Sequence, residues 1–195
     1  MKIVNFLAEV DPSKCKGDKL CEAICPTGSI RVFEKKAQVE DGKCVACTRC
    51  VDRCPEDAIT LVRRSEPMVV GTSSADIDGA EIRELCLKAH RKPDELICIC
   101  TGTYAEEIAA SIIKGARSVR EIALTTGALT GCQEFCVPVV QRMLKAYGVD
   151  IAESGTPLTY DQSFSLWDIP EAVHKKYPEY YFKEDTELAT RLRKG

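Results

Sequence analysis

The residues with most chemistry to offer are cysteines, and they come in runs. Cys44, Cys47, Cys50 and Cys54 follow the spacing Cys-x2-Cys-x2-Cys-x3-Cys, with Pro55 next. Shifted by 29 residues, Cys15, Cys21, Cys25 and Pro26 fall on Cys44, Cys50, Cys54 and Pro55; Asp18 takes the place of Cys47. Further on, Cys98 and Cys100 form a Cys-x-Cys pair, and Cys132 and Cys136 a Cys-x3-Cys pair. Soft thiolates at such spacings select iron–sulfur clusters, zinc or Cu(I). A tight loop can offer three sulfurs to one face of a cube with N–H groups aimed at it, and the proline, which cannot donate, turns the chain away. Zinc takes four ligands in two pairs, which interleaved runs ending in Cys-Pro do not supply.

The composition narrows the setting. The chain has 195 residues, 45% hydrophobic and 29% charged, with twelve cysteines, two histidines and a net charge of −3. That is an ordinary soluble composition of one or two domains, with no basic footprint for nucleic acid. No apolar run is long enough to span a bilayer, and Met1–Val10 lacks the marks of a signal peptide. A cytoplasmic location is expected, where dense cysteines point to metal rather than to disulfides.

Elements must position these thiols. The repeat extends past the cysteines, with Ile30 on Ile59 and Val32 on Leu61. Each copy reads as a cysteine loop, a short helix, Cys-Pro and a strand, at 29–33 and 58–62. A strand at 2–6 precedes them, and 37–40 can pair back on 29–33. Over residues 1–65 the sequence resembles two-cluster bacterial ferredoxins, whose fourth cysteine ligates the other cluster. The resemblance implies a βαββαβ domain with two [4Fe–4S] clusters. One would be held by Cys25, Cys44, Cys47 and Cys50. The other would be held by Cys15, Cys21 and Cys54, with Asp18 in the fourth slot. Asp18 can ligate iron through oxygen or merely cap the helix that begins at Lys19.

Residues 66–77 read as a linker. A helix capped by Asp78 follows, with Ile82, Leu85, Cys86 and Ala89 on one face. Cys86 is expected to be core, and His90 a charge partner at that helix's end. Thr103 with Glu106, and Ser118 with Glu121, fit the capping box. Gly115 and Gly127 are placed to end helices, and a last helix covers about 137–147. The stretch 96–146 resembles the small [2Fe–2S] domain of bacterioferritin-associated ferredoxins (BFD). That resemblance rests on Cys98-x-Cys100, the "EEIAASIIKGARSVREIALTTGALTGC" core and the closing cysteines. It implies an all-α domain over 78–148 with Cys98, Cys100, Cys132 and Cys136 holding a third cluster. The family closes with Cys-x2-Cys. The extra residue here favours [4Fe–4S] over [2Fe–2S].

Residues 149–195 hold seven of the twelve aromatics: Tyr160, Phe164, Trp167, Tyr177, Tyr180, Tyr181 and Phe182. An extended tail docking on a partner is expected ahead of one wrapping back on the chain, with His174 on a solvated face. The fold class expected is therefore α+β. With eleven patterned cysteines and no motif of an active site, the expected role is non-catalytic. The chain would be an electron-transfer subunit passing low-potential electrons through three clusters to or from a larger oxidoreductase subunit. The layout resembles the small subunit of tungsten enzymes of the aldehyde oxidoreductase family, in particular class II benzoyl-CoA reductase. That resemblance implies a tungstopterin-containing partner. The alternative is an iron–sulfur adaptor or iron-handling module that uses its clusters as structure.

Overall fold

The computed structural model describes residues 1–151 and 165–194. The N-terminal part runs β1 (Lys2–Val10), α1 (Leu20–Ile24), β2 (Ile30–Phe33), β3 (Lys36–Val39), α2 (Arg49–Arg53) and β4 (Ile59–Val70). This is the expected βαββαβ order. β1 pairs antiparallel with β4, and β2 with β3. The two pairs share one register: Val10 faces Ile59 as Val39 faces Ile30, and Ala8 faces Leu61 as Ala37 faces Val32. The repeat in sequence has become a two-fold arrangement in which each copy leans on the other. The Asp11 N–H donates to the Ala58 carbonyl (2.8 Å), and the Glu40 N–H to the Ser29 carbonyl (2.6 Å). Left-handed backbone recurs at the same offset: Gly17 with Ala46, Lys19 with Thr48, and Gly28 with Asp57. Glycine is required only at the first of these, where a Cβ would stand 2.5 Å from the Lys35 backbone. That backbone belongs to the turn between β2 and β3.

A linker from residue 66 is not what forms. β4 continues to Val70, pairing with Lys2. The register shifts between Val4 and Phe6, so residues 64–67 bulge opposite Asn5. Pro67 sits at that irregularity, where its missing N–H removes no ladder bond.

The second part packs α3 (Gly79–Lys88), α4 (Ala105–Ile113), α5 (Val119–Thr126) and α6 (Val137–Ala146) around Ile108, Ile112, Ile122, Val140 and Leu144. It is not all-α, because β5 (Leu96–Cys98) and β6 (Thr103–Tyr104) pair antiparallel. Asp78 caps α3 as expected, accepting from the Ala80 N–H at 2.9 Å, and Ser118 caps α5, accepting from Glu121 at 3.2 Å. Gly127 ends α5 in the left-handed region. Thr103 caps nothing. It lies fully buried in β6, its hydroxyl engaged by Thr101 (2.8 Å) and Lys2 (3.1 Å), and α4 begins after Tyr104. Cys86 is fully buried in the helical core, and burial pushes its thiol up to about 12.

The described part of the tail, residues 165–194, is not extended. α7 (Glu171–Lys176) and α8 (Phe182–Lys194) form in it, and it folds back on the chain. The Trp167 indole stacks on His90 with centroids 4.1 Å apart, donates from Nε1 to Thr190 Oγ1 at 2.9 Å, and lies under the Arg193 guanidinium. Arg193 in turn donates to the His90 carbonyl and pairs with Glu95. His90 is therefore no charge partner: burial first, then Arg193 and Arg142, hold its pKa below the usual value. Nor is His174 on a solvated face. Its side chain is 15% exposed, close to Phe182. Tyr180 and Tyr181 remain exposed; Tyr160 and Phe164 lie outside the described residues.

Trp167→Ala is expected to free the segment 165–194 while leaving cluster absorption intact, since an aromatic stack and its polar handle are worth about 1–2 kcal/mol. Limited proteolysis checks this. An unchanged cleavage pattern would mean that the indole does not hold the segment.

Candidate iron–sulfur sites

The loops before and inside α1 and α2 bring two sets of thiols into the core between the strand pairs. Four of the nine residues buried there are Cys15, Cys21, Cys25 and Cys44. Small neighbours, Ala8, Ala37 and Ala58, leave them room. Cys50 and Cys54 pack against the same core half-buried, and Cys47 is half-buried in the α2 loop.

The sulfurs accept backbone hydrogen bonds in a reciprocal pattern. The Ala37 N–H donates to Cys15 Sγ and the Ala8 N–H to Cys44 Sγ, both at 3.4 Å. These two bonds are related by the 29-residue offset, and each crosses from one copy to the other. Cys25 accepts from the Ser29 N–H (3.3 Å) and pairs with the Ser29 (3.4 Å) and Thr27 (3.6 Å) hydroxyls. Burial pushes the Cys25 thiol up, but these bonds outweigh it and hold it below the usual thiol value.

Electrostatics group the remaining thiols. Cys50 is pushed up to about 12 by burial, then by Cys47, Cys25, Cys44 and Cys21. Cys47 is raised by burial and by Cys25 and Cys44, against the Arg49 N–H bonded to its sulfur. Cys21 is pushed up to about 11 by burial, with Asp18 and Cys15 adding to it. Cys25, Cys44, Cys47 and Cys50 thus form one neighbourhood; Cys15, Asp18 and Cys21 form the other. Four thiolates cannot share such a site without positive charge between them, which iron supplies on binding. The donor set and the N–H groups aimed at sulfur fit an iron–sulfur cluster. Among the described residues no three His, Cys, Asp or Glu side chains converge closely enough for a single metal ion.

Asp18 is exposed, and its Oδ1 accepts the Leu20 N–H at 3.0 Å. One repeat later, the Arg49 N–H is bonded to Cys47 sulfur. The carboxylate oxygen occupies the hydrogen-bonding place of a thiol.

The third set comes from separate elements. Cys98 ends β5, Cys136 stands before α6, and both are buried; Cys100 and Cys132 are exposed. The Cys136 thiol donates to Cys98, so the Cys98 pKa falls and the Cys136 pKa rises. Cys98 also accepts from the Thr101 hydroxyl and from the N–H groups of Leu129 and Thr101. Cys132 is held below the usual value by the Glu134 N–H, then by Cys100. Leu129 and Gln133 adopt left-handed backbone here (φ 69° and 61°), strain that clusters at functional sites. Sequence reasoning missed the groups around the sulfurs: Thr27, Ser29, Thr101, Arg49 and Gly131. Short hydroxyls next to cysteine runs were the available signal for the first three.

A family model described as a 4Fe-4S dicluster domain matches residues 7–55, and one described as a BFD-like [2Fe-2S] binding domain matches 96–146. The chain is 51% identical over 60 residues to a component of the ion-translocating oxidoreductase complex of Methanosarcina acetivorans, covering 31% of this chain and 22% of that protein. It is 32% identical over 88 residues to an iron-sulfur protein of Rhodospirillum rubrum, covering 44% and 45%. It is 40% identical over 58 residues to a ferredoxin of Methanothermococcus thermolithotrophicus, covering 27% of this chain and 92% of that protein. The chain thus spans less than half the length of the first two relatives. No solved structure matches it. Among the described residues no helix is long and apolar enough to cross a membrane. Through its N-terminal repeat the chain belongs to the ferredoxin family, as an iron–sulfur electron-transport protein in which a 4Fe-4S dicluster domain is joined to a BFD-like one.

Proposed function

We propose that this chain is the electron-transfer subunit of a larger oxidoreductase, passing low-potential electrons through three clusters to or from a catalytic partner. The observation that carries the reading is the reciprocal pair of N–H···S bonds from Ala8 and Ala37. Such bonds stabilise thiolates and tune the potential of the iron that they hold. In the proposed assignment Cys25, Cys44, Cys47 and Cys50 hold one [4Fe–4S] cluster. Cys15, Asp18, Cys21 and Cys54 hold the other. Cys98, Cys100, Cys132 and Cys136 hold the third, also taken as [4Fe–4S] because Gln133, in left-handed backbone, lengthens the loop between Cys132 and Cys136. Each cluster, when bound, accepts and releases one electron. The protein's part is to hold thiolates, exclude water from Cys15, Cys25 and Cys44, and leave Cys100 and Cys132 at the surface. The domains proposed are the dicluster unit and the helical unit, with substrate chemistry on the partner. A tungstopterin subunit, as in class II benzoyl-CoA reductase, is the partner that the layout suggests, in the cytoplasm.

Iron analysis and EPR of the anaerobically purified chain test this. About twelve irons per chain are expected for three cubes, and about ten if the third site is [2Fe–2S]. Zinc with little iron would sink the reading. Asp18 supplies the sharper test. Oxygen is a harder donor than sulfur, so that iron should be the most labile. Asp18→Cys is expected to give an all-thiolate cube with shifted potential, and Asp18→Ala to drop the site toward a three-iron form. Identical EPR, potential and iron content after Asp18→Ala would show that the carboxylate is only a helix cap.

A further inference from the structure

Arg49 lies between two members of the second thiol set, Cys47 and Cys50, at the start of α2. Its side chain leaves that loop and reaches the other half of the molecule, where Nη1 donates to the Gly131 carbonyl. Gly131 precedes Cys132 and is pressed against Cys100: a Cβ there would stand 2.8 Å from Cys100 Sγ. One guanidinium therefore joins the loop of one thiol set to the backbone wedged between the two exposed thiols of another. Its Nε is buried with no hydrogen-bond partner among the described residues.

Two other contacts fall near the same junction. Arg120 of α5 lies over Gly28, three residues after Cys25, with Nη1 2.6 Å from where a Cβ would stand. Lys2 of β1 donates to Thr103 Oγ1 and to the Thr126 carbonyl. The helical part thus rests on the side of the dicluster unit that carries Cys25 and the Cys47–Cys50 loop.

We infer that Arg49 is a positioning residue that fixes the junction between the second and third sites. Electrons then travel in a set order, with the Asp18-containing site at the far end and the Cys100/Cys132 edge at the exit. The inference rests on the three-cluster reading above. The step is a one-electron transfer. With iron bound, Cys25, Cys44, Cys47 and Cys50 would hold the donor of that one electron and Cys98, Cys100, Cys132 and Cys136 its acceptor, with no bond or proton changing hands. The reductant is a low-potential one-electron donor, dithionite in the test. The guanidinium contributes in two ways. Its long side chain spans the junction to a single bond on the Gly131 carbonyl, and its positive charge favours added electrons on either side.

The experiment uses the full chain with Arg49→Gln and Arg49→Lys. Iron content, EPR of the reduced sites and their spin–spin interaction are measured, together with the rate of third-site reduction after rapid mixing with dithionite. Iron content is expected to stay at the wild-type value in both variants. The spin–spin interaction between the second and third sites is expected to be lost. Reduction of the third site is expected to slow about tenfold, as for other misplacements of reacting partners. Arg49→Lys keeps the charge but not the reach and planar shape that place Nη1 on the Gly131 carbonyl, so it should slow the transfer as well. An unchanged interaction and rate in both variants would overturn the inference, and so would loss of second-site iron in both, which would make Arg49 a residue of that site's own fold. A wild-type chain without three clusters would instead overturn the proposed function.

Discussion

Stripping the iron is expected to unfold residues 1–70 and leave the helical part standing. The two cores differ in what they are made of. Of the nine buried residues that form the N-terminal apolar core, four are candidate ligands, and the others are three alanines and two isoleucines. So small an apolar set cannot offset the ordering of seventy residues, and units of that size need a staple. The helical core includes Ile82, Leu85, Ile108, Ile112, Ile122, Val140, Met143 and Leu144, and Cys98 and Cys136 are only two of its 23 buried residues. Metal binding is then folding energy for the first part and a local matter for the second. Hydrogen exchange of the apo chain reads the difference. Amides of Ala8 and Ala37, which donate to sulfur, should exchange as in an unfolded chain, while those of α4 and α6 stay protected. Lasting protection of β1 and β4 without iron would show that the strand pairs need no cluster.

Gly131→Ala is expected to empty the third site alone. A Cβ at this position would lie 2.5 Å from Cys100 Cβ and 2.8 Å from its Sγ. The first of these atoms is fixed by the backbone, so no rotamer of Cys100 relieves the overlap. Either the Cys98–Cys100 segment or the 129–133 loop must move, and the latter already carries left-handed Leu129 and Gln133. Overpacking of this kind costs about 1–3 kcal/mol, and a shift of either loop separates Cys100 from Cys132. Iron analysis should show loss of the third site's share, with the EPR of the dicluster unit unchanged. A full complement of iron in this variant would place Cys100 outside the ligand set.

Much of this protein is legible in its sequence because its first part is a local code repeated. The offset of 29 residues carries the loop, helix and strand of each copy, so that the candidate thiols could be read from spacing and the βαββαβ order from the resemblance to two-cluster ferredoxins that the spacing supports. The helical part was legible for a similar reason: apolar periodicity and the caps at Asp78, Ser118 and Gly127 are decided within a few residues. Local signals misled where a residue had a distant partner. Thr103 looks like a cap, but its hydroxyl serves Lys2 from 101 residues away. Pro67 looks like a linker residue, but Lys2 and Val70 are paired beyond it. Aromatic residues without aliphatic neighbours suggest an interface, and for Trp167 the surface it meets lies on its own chain. The stack of Trp167 on His90 needs both surfaces, and only the folded chain brings them together. The same holds for the bond from Arg49 to Gly131, which spans 82 residues. Spacing within a run marks which cysteines are candidate ligands. Which run lies against which is set by side chains that meet only after both halves have folded.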